Sequence, residues 1–161
     1  YVIPIKILYN TQIKLFKNLK LLWTGIERNS SDIAKTYNFN LHDNKSEHMI
    51  QLKNMTKNFQ REFEKNRLNL DKISNLIKES WVLKKKMSKS ISPQKINKFS
   101  NKLNDFNIQG HRLLGAGGGG FFLCLLNNNK INKIKKKFPK SKLISINYEP
   151  QGSRVTSLIY N

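Results

Sequence analysis

Apolar residues recur at spacings of three and four along three long segments of this chain, which is the pattern of amphipathic helices. The first segment predicts a helix over 46–67, with one stripe formed by Met49, Leu52, Met55, Phe59 and Phe63. The second predicts a helix over 70–87. The third helix follows Ser92-Pro93, because serine caps a helix and proline suits its first position.

Shorter apolar or alternating runs predict strands. These runs cover 2–8, 20–23, 112–114, 121–126, 143–148 and 154–160. A Lys-rich helix over 131–138 ends before Pro139, and a short helix over 31–37 follows a cap at Asn29 or Ser30. Residues 38–45 are polar and are predicted to be a loop.

The order of these elements predicts an α+β fold. Strands, several helices and a late strand-turn-strand-helix-strand succession favour an antiparallel sheet backed by helices, close to a split βαβ arrangement. No internal repeat or linker divides the chain, so we expect one domain over 1–161.

The composition of the chain is that of a folded domain without a membrane-spanning helix. The chain is 38% hydrophobic over 161 residues, enough for one folded domain with a core. Its longest apolar run, 121–126, is too short to cross a membrane. With one cysteine, Cys124, and no secretory pattern, we expect a reducing, cytoplasmic compartment.

The net charge of +20 points first to polyanions such as nucleic acid. However, the chain has 25 Lys against 5 Arg, together with 21 Asn, which indicates drift toward AT-rich codons. A basic nucleic-acid-binding split-βαβ module remains the alternative, although the interleaved basic and aromatic strand typical of RNA recognition is missing. We therefore consider a nucleic-acid partner the weaker hypothesis.

The most informative segment is a glycine run. Six of the eight glycines fall within 110–120, between two predicted strands. Bare backbone allows N–H groups to converge on an anion and allows a ligand to approach closely. A flexible hairpin is the alternative. No Lys-Ser or Lys-Thr follows, so the run is not a P-loop.

Residues 112–121, Arg-Leu-Leu-Gly-Ala-Gly-Gly-Gly-Gly-Phe, closely resemble the third signature motif of the GHMP kinases, the superfamily of galactokinase, homoserine kinase, mevalonate kinase and phosphomevalonate kinase. Three further segments are similar to the sugar-kinase branch that includes heptose 7-phosphate kinases. They are 23–33 (TG..R.S..I), 79–87 (ESW.LKK) and 148–155 (EP.GSRV).

This resemblance implies the ferredoxin-like C-terminal domain of such a kinase, with extra helices. The activity it implies is transfer of the terminal phosphate of ATP to a sugar or sugar-phosphate hydroxyl. By motif matching, the cleft for sugar and phosphate is lined by Gly115, Ala116, Gly117, Gly118 and Gly119. ATP and Mg²⁺ would be bound mainly by an N-terminal domain, in cis or in trans. We therefore expect no catalytic residue in this half and no activity from it alone.

Two further pairs are candidates for substrate binding. Arg28 and Ser30 lie at a predicted helix start, where a guanidinium and free N–H groups suit a sugar phosphate; a surface arginine beside an ordinary cap is the alternative. Lys84 and Lys85 follow Trp81 by one helical turn, so an aromatic ring and an ammonium would share the cleft. The alternative is a solvated lysine run with Trp81 in the core.

Histidine and cysteine spacing predicts no metal site. The three histidines share no spacing, and a single cysteine cannot complete a ligand set.

Overall fold

A four-stranded antiparallel sheet forms the centre of the fold. The computed structural model describes residues 5–29, 31 and 44–152. The strands are β1 (Leu19–Trp23), β2 (His111–Leu113), β3 (Phe121–Leu125) and β4 (Leu143–Ser145), in the order β2-β3-β1-β4. Because β3 runs antiparallel to both β1 and β2, these two strands point the same way on either side of it. This is the split βαβ arrangement, and it confirms the predicted α+β class.

Five α-helices surround the sheet in the described part of the chain. They are α1 (Tyr9–Asn18), α2 (Asn44–Phe63), α3 (Leu70–Met87), α4 (Gln94–Asp105) and α5 (Asn128–Lys137), with a 3-10 turn over Lys89–Ile91. The predicted bounds of α3 are confirmed to the residue. Its start is fixed by Asn69, whose side chain accepts hydrogen bonds from the backbone N–H groups of Asp71 and Lys72 at 3.0 and 3.1 Å.

Alternation along the strands divides the apolar residues between two clusters, because successive side chains point to opposite faces of a sheet. Leu22 and Phe122 are partners in register and lie in the larger cluster, with residues of α3, α4 and α5. Leu19 and its partner Leu125 belong to the smaller cluster, with Leu15 of α1 and the first turns of α3. Helix α3 therefore contributes to both clusters.

A buried chain of hydrogen bonds joins α3, α4 and β2. Indole N–H is only a donor, so Trp81 donates to Ser100 Oγ at 3.2 Å, and the Ser100 hydroxyl then donates to His111 Nε2 at 2.7 Å. The His111 Nδ1–H donates to the carbonyl of Ile108 at 2.7 Å. Burial lowers the pKa of His111, so the imidazole is held neutral between these partners.

Some predicted boundaries are wrong. Residues 5–8 of the predicted strand 2–8 form no strand, and α1 was not predicted. An alternation over so few residues does not decide between a strand and a helix. Helix α2 ends at Phe63 instead of 67, since the apolar stripe stops there. Strand β4 ends at Ser145 instead of 148. Positions 32–37 of the short predicted helix, and all of strand 154–160, lie outside the described residues.

Candidate functional site

The glycine run forms the connection between β2 and β3 and has a backbone that other residues rarely adopt. Gly117 has φ +113° and Gly118 has φ +76°, both in the left-handed region where a side chain is strained. The abundance of glycine is therefore required by the shape of this loop, which we call the glycine loop (114–120).

Two close backbone contacts hold the glycine loop in place. The Gly118 N–H donates to the carbonyl of Ile91 at 2.8 Å, and the Gly120 N–H donates to the carbonyl of Ile26 at 2.9 Å. A Cβ atom at Gly117 would lie 2.7 Å from Ile91 Cα, and one at Gly119 would lie 2.5 Å from the Ile26 oxygen. These distances leave no room for a methyl group, so glycine is needed at both positions.

Thr24 connects the end of the glycine loop to the segment that follows β1. Its hydroxyl donates to the carbonyl of Gly120 at 2.7 Å, and its N–H donates to the same oxygen at 3.0 Å. The hydroxyl oxygen also accepts from the Ile26 N–H at 3.2 Å. Thr24 thereby fixes the distance between the glycine loop and residues 24–28.

A cleft of about 530 Å³ lies between the glycine loop and residues 21–28. Its described lining is Leu21, Trp23, Ile26, Glu27, Arg28, Leu114, Gly115, Ala116, Gly117, Gly119, Gly120 and Phe121. The structure thus brings Arg28 together with four of the five predicted loop residues. Gly118 lies in the glycine loop but not in the lining of the cleft, and Ser30 lies outside the described residues.

The aromatic wall of this cleft was not predicted as part of a site. The rings of Trp23 and Phe121 pair across β1 and β3 with centroids 4.8 Å apart, and both are half-buried. The alternation along β3 was the available signal, because Phe121 must face away from the core if Phe122 faces into it.

The cleft has donors suited to an anion. Within the part of the chain that the structure describes, no acceptor takes the N–H groups of Gly115, Gly117 and Gly119. The guanidinium of Arg28 lies on an exposed side chain of the same lining. Backbone amides and a guanidinium are the groups that recognise phosphate oxygens.

Lys84 is hydrogen-bonded to the backbone at the start of the glycine loop. Its ammonium donates to the carbonyl of Leu113 at 3.0 Å and to the carbonyl of Gly115, and the residue is only 7% exposed. Burial, followed by the charge of Arg112, lowers the pKa of Lys84 to about 8. Lys84 is absent from the lining of the glycine-loop cleft, so it acts on that cleft through the backbone.

Lys85 is half-buried and lies over the ring of Trp81. Its Nζ is 5.6 Å from the centroid of the Trp81 ring, and Trp81 itself is 2% exposed and belongs to the larger core cluster. This position of Trp81 agrees with the alternative interpretation of the sequence, in which Trp81 is a core residue. Neither Lys85 nor Trp81 lines the glycine-loop cleft.

The lowered pKa of Lys84 predicts a pH-dependent stability. Between about pH 8 and pH 10.5 the unfolded chain holds a proton that folded Lys84 releases, so the free energy of unfolding rises with pH across this window. We expect wild type to gain up to about 3 kcal/mol over Lys84→Met between these limits. Urea denaturation at stepped pH measures the difference. The exposed Lys86→Met variant controls for loss of a lysine from the same helix, and a constant difference between wild type and Lys84→Met would contradict the prediction.

The described residues offer little to a metal ion. Glu27 is the one carboxylate among the described residues that line the cleft, and no three His, Cys, Asp or Glu side chains cluster elsewhere in the described ranges. Mg²⁺ requires several oxygen ligands, so this cleft fits a phosphate group but does not by itself fit the ion.

No helix within the described ranges is long and apolar enough to span a bilayer. Burial raises the pKa of the Cys124 thiol, which therefore stays protonated within the core.

The fold of this domain is similar to part of the fold of mevalonate kinases of known structure. Two mevalonate kinases are among the solved structures that match it. One matches with a TM-score of 0.66 at 21% identity, over 86% of this chain and 42% of its own. The Methanococcus jannaschii mevalonate kinase matches with a TM-score of 0.64 at 20% identity, over 83% of this chain and 42% of its own.

The chain therefore spans about two fifths of the length of these kinases. At this level of identity the likeness concerns the fold. No protein-family model matches the chain, and no curated protein sequence matches it.

Proposed function

We propose that this chain is the C-terminal domain of an ATP-dependent GHMP-type kinase that phosphorylates a hydroxyl of a small molecule. The observation that carries the proposal is the composition of the cleft: it is lined by Arg28 and by Gly115, Gly117 and Gly119, whose N–H groups have no acceptor among the described residues. The fold shared with mevalonate kinases supports it.

Phosphoryl transfer depends mainly on position and on stabilisation of the charge that spreads over the phosphate oxygens. In this proposal the loop amides bind those oxygens, and their fixed orientation spares reorganisation during the reaction. Arg28 orients the acceptor, while Trp23 and Phe121 exclude water from one wall. ATP would supply the phosphoryl group. The described lining of this cleft does not hold Mg²⁺, so the ligands of an ion that neutralises the phosphate charge would have to come from an N-terminal domain, in cis or in trans.

We propose a sugar or sugar phosphate as the acceptor, with heptose 7-phosphate as the first compound to test. The sequence blocks at 23–33, 79–87 and 148–155 support this choice, since they resemble the sugar-kinase branch. An acceptor that already carries a phosphate would also explain an arginine at the rim of the cleft.

The test is an ATP-consumption assay on the full-length gene product with heptose 7-phosphate and mevalonate in parallel. The native mass of that product first shows whether the N-terminal domain lies on the same polypeptide or must be supplied as a partner. Turnover with heptose 7-phosphate supports the full proposal. Turnover with mevalonate alone would keep the kinase and overturn the sugar acceptor, and folded protein that turns over neither would argue against both.

Arg28→Ala provides a test of the acceptor site. Losing a charge-assisted hydrogen bond costs about 1.5–3 kcal/mol, so we expect the KM of a phosphorylated acceptor to rise about tenfold or more while the KM of ATP is unchanged. Arg67→Ala, which removes an exposed arginine away from the cleft, is the matched control. Equal increases in both KM values would point to a disturbed fold and against a role for Arg28 in binding the acceptor.

A further inference from the structure

Helices α4 and α5, which share the larger core cluster, carry lysines at the same helical spacing. In both helices the lysines occupy positions i, i+3 and i+7, which lie on one face of a helix. They are Lys95, Lys98 and Lys102 of α4 and Lys130, Lys133 and Lys137 of α5. Lys130 is half-buried and the other five are exposed. We call these six residues the lysine face.

The two stripes of the lysine face border the contact between α4 and α5. The Nζ atom of Lys137 lies 5.8 Å from the centroid of the Phe106 ring, at the end of α4. Lys130 Nζ donates to the carbonyl of Asn107 at 2.7 Å. Lys102 precedes Phe106 by one helical turn. The ammonium groups of the two helices therefore come together on one surface.

Very little negative charge accompanies these lysines. Asp105 is the one acidic residue in 94–105, and 128–142 contains seven lysines and no acidic residue. None of the six lysines of the lysine face forms an ion pair with another described residue. Codon drift accounts for the number of lysines in the chain. It does not account for their position, because nine of the ten acidic residues lie outside 94–142.

The chemistry of the lysine face suits the phosphate backbone of a nucleic-acid duplex. Lysine binds phosphate as a point charge and lacks the planar fork with which arginine reads guanine. Single strands are bound by stacking their bases on aromatic rings, and no described residue in 94–142 has an exposed aromatic side chain. Amphipathic helices bind membranes with their apolar face, whereas Ile96, Leu103 and Ile134 are buried in the core.

We propose that the lysine face binds double-helical nucleic acid through its phosphates, without selecting a base sequence. A stripe from i to i+7 spans about 10.5 Å along the helix axis, and one strand of a duplex presents about three phosphates over that length. Three lysines in each stripe match this number. None of the six lysines lines the glycine-loop cleft, so this surface is separate from the site of the proposed function.

The probes are a DNA and an RNA duplex, each labelled with fluorescein, about 20 base pairs long and titrated with the full 161-residue chain at about 50 and 200 mM KCl. Fluorescence anisotropy measures the binding. With six phosphate contacts, the association constant should fall about 1,000-fold between the two salt concentrations, and duplexes of different base sequence should bind equally.

Failure of both duplexes to bind at the lower salt concentration would overturn the proposal. The partner is tested by competition with an unlabelled single strand, with polyglutamate and with vesicles of equimolar phosphatidylcholine and phosphatidylserine. We expect the unlabelled duplex to displace the probe best. More effective displacement by any of the other three would overturn the choice of a duplex.

Two triple variants with the same loss of charge assign the binding to the lysine face. The first combines Lys95→Gln, Lys98→Gln and Lys102→Gln. It should weaken binding about tenfold or more and make the slope of log K against log salt shallower by about 3. The control replaces exposed lysines of α2 and α3 and combines Lys53→Gln, Lys57→Gln and Lys86→Gln.

We expect the control to keep the slope of wild type and an affinity within about twofold of it, because its lysines lie away from the lysine face. Exposed positions tolerate such changes without loss of the fold. Equal weakening by the two triple variants would mean that binding follows the net charge of the chain. That result would overturn the lysine face as the site, whatever the kinase assay on the full-length product shows.

Discussion

In the kinase proposed above, a single methyl group added at Gly119 is expected to reduce phosphoryl transfer about 100-fold. The Cβ atom of Gly119→Ala would lie 2.5 Å from the Ile26 carbonyl oxygen and 3.1 Å from its carbon, so the backbone itself must move. Gly119 and Ile26 line the same cleft from its two sides. A displacement of about 1 Å between groups that position a substrate costs about that factor in rate.

The same substitution should lower the free energy of unfolding by about 1–3 kcal/mol, the usual cost of overpacking. Gly25→Ala is the matched control, because Gly25 has a left-handed backbone with φ +74° but open space around its Cβ position. We expect Gly25→Ala to lose about 1–2 kcal/mol through backbone strain and to retain most of its turnover. If the two variants have equal turnover, the spacing between the glycine loop and Ile26 has no part in the reaction.

Phe122→Ala is expected to have the largest effect on stability, a loss of about 3–5 kcal/mol in the free energy of unfolding. Phe122 has no exposed surface, and it packs with three rings. The ring centroids of Trp81, Phe99 and His111 lie 5.7, 5.6 and 5.5 Å from its own. Its removal leaves a cavity at the point where α3, α4 and the sheet meet, beside the Trp81–Ser100–His111 hydrogen bonds.

Chemical denaturation of the full chain measures this loss, and Phe121→Ala is the neighbouring control. Phe121 is half-buried and contacts Trp23 on the opposite face of the sheet, so its truncation should cost clearly less stability. A natural domain has only about 5–15 kcal/mol of stability in total, so Phe122→Ala should bring the chain close to unfolding. Equal losses in the two variants would mean that the two faces of β3 are buried alike.

Lys84 stabilises the glycine loop through the backbone, because its buried ammonium is bonded to the carbonyls of Leu113 and Gly115. The same burial lowers the pKa of Lys84, so its role in holding the loop and its pH-dependent stability have one physical cause.

The sequence predicted the sheet and helices best where the pattern was long. The stripe over 70–87 extends for five turns and has a cap at Asn69, and its helix is confirmed to the residue. The prediction of a strand was wrong at residues 5–8, because alternation over a few residues also occurs by chance before a helix. The glycine loop could be recognised in the sequence because six glycines occur close together. Each glycine lowers stability through its conformational entropy, so such a run indicates a backbone that other residues cannot adopt.

The residues that share the cleft could be known only from the tertiary structure. Thr24 and Gly120 are 96 positions apart, and their hydrogen bond exists because β1 pairs with β3 in the centre of the sheet. Likewise, the run 84–86 shows three lysines that look equivalent, yet successive residues of a helix are turned by about 100°. The helical stripes and the place of the glycine loop follow from local spacing, and the excess of positive charge follows from composition, so all three could be predicted before the fold was known. The packing of α3 against the sheet decided that Lys84 alone of the three is buried, because burial depends on what lies opposite each side chain.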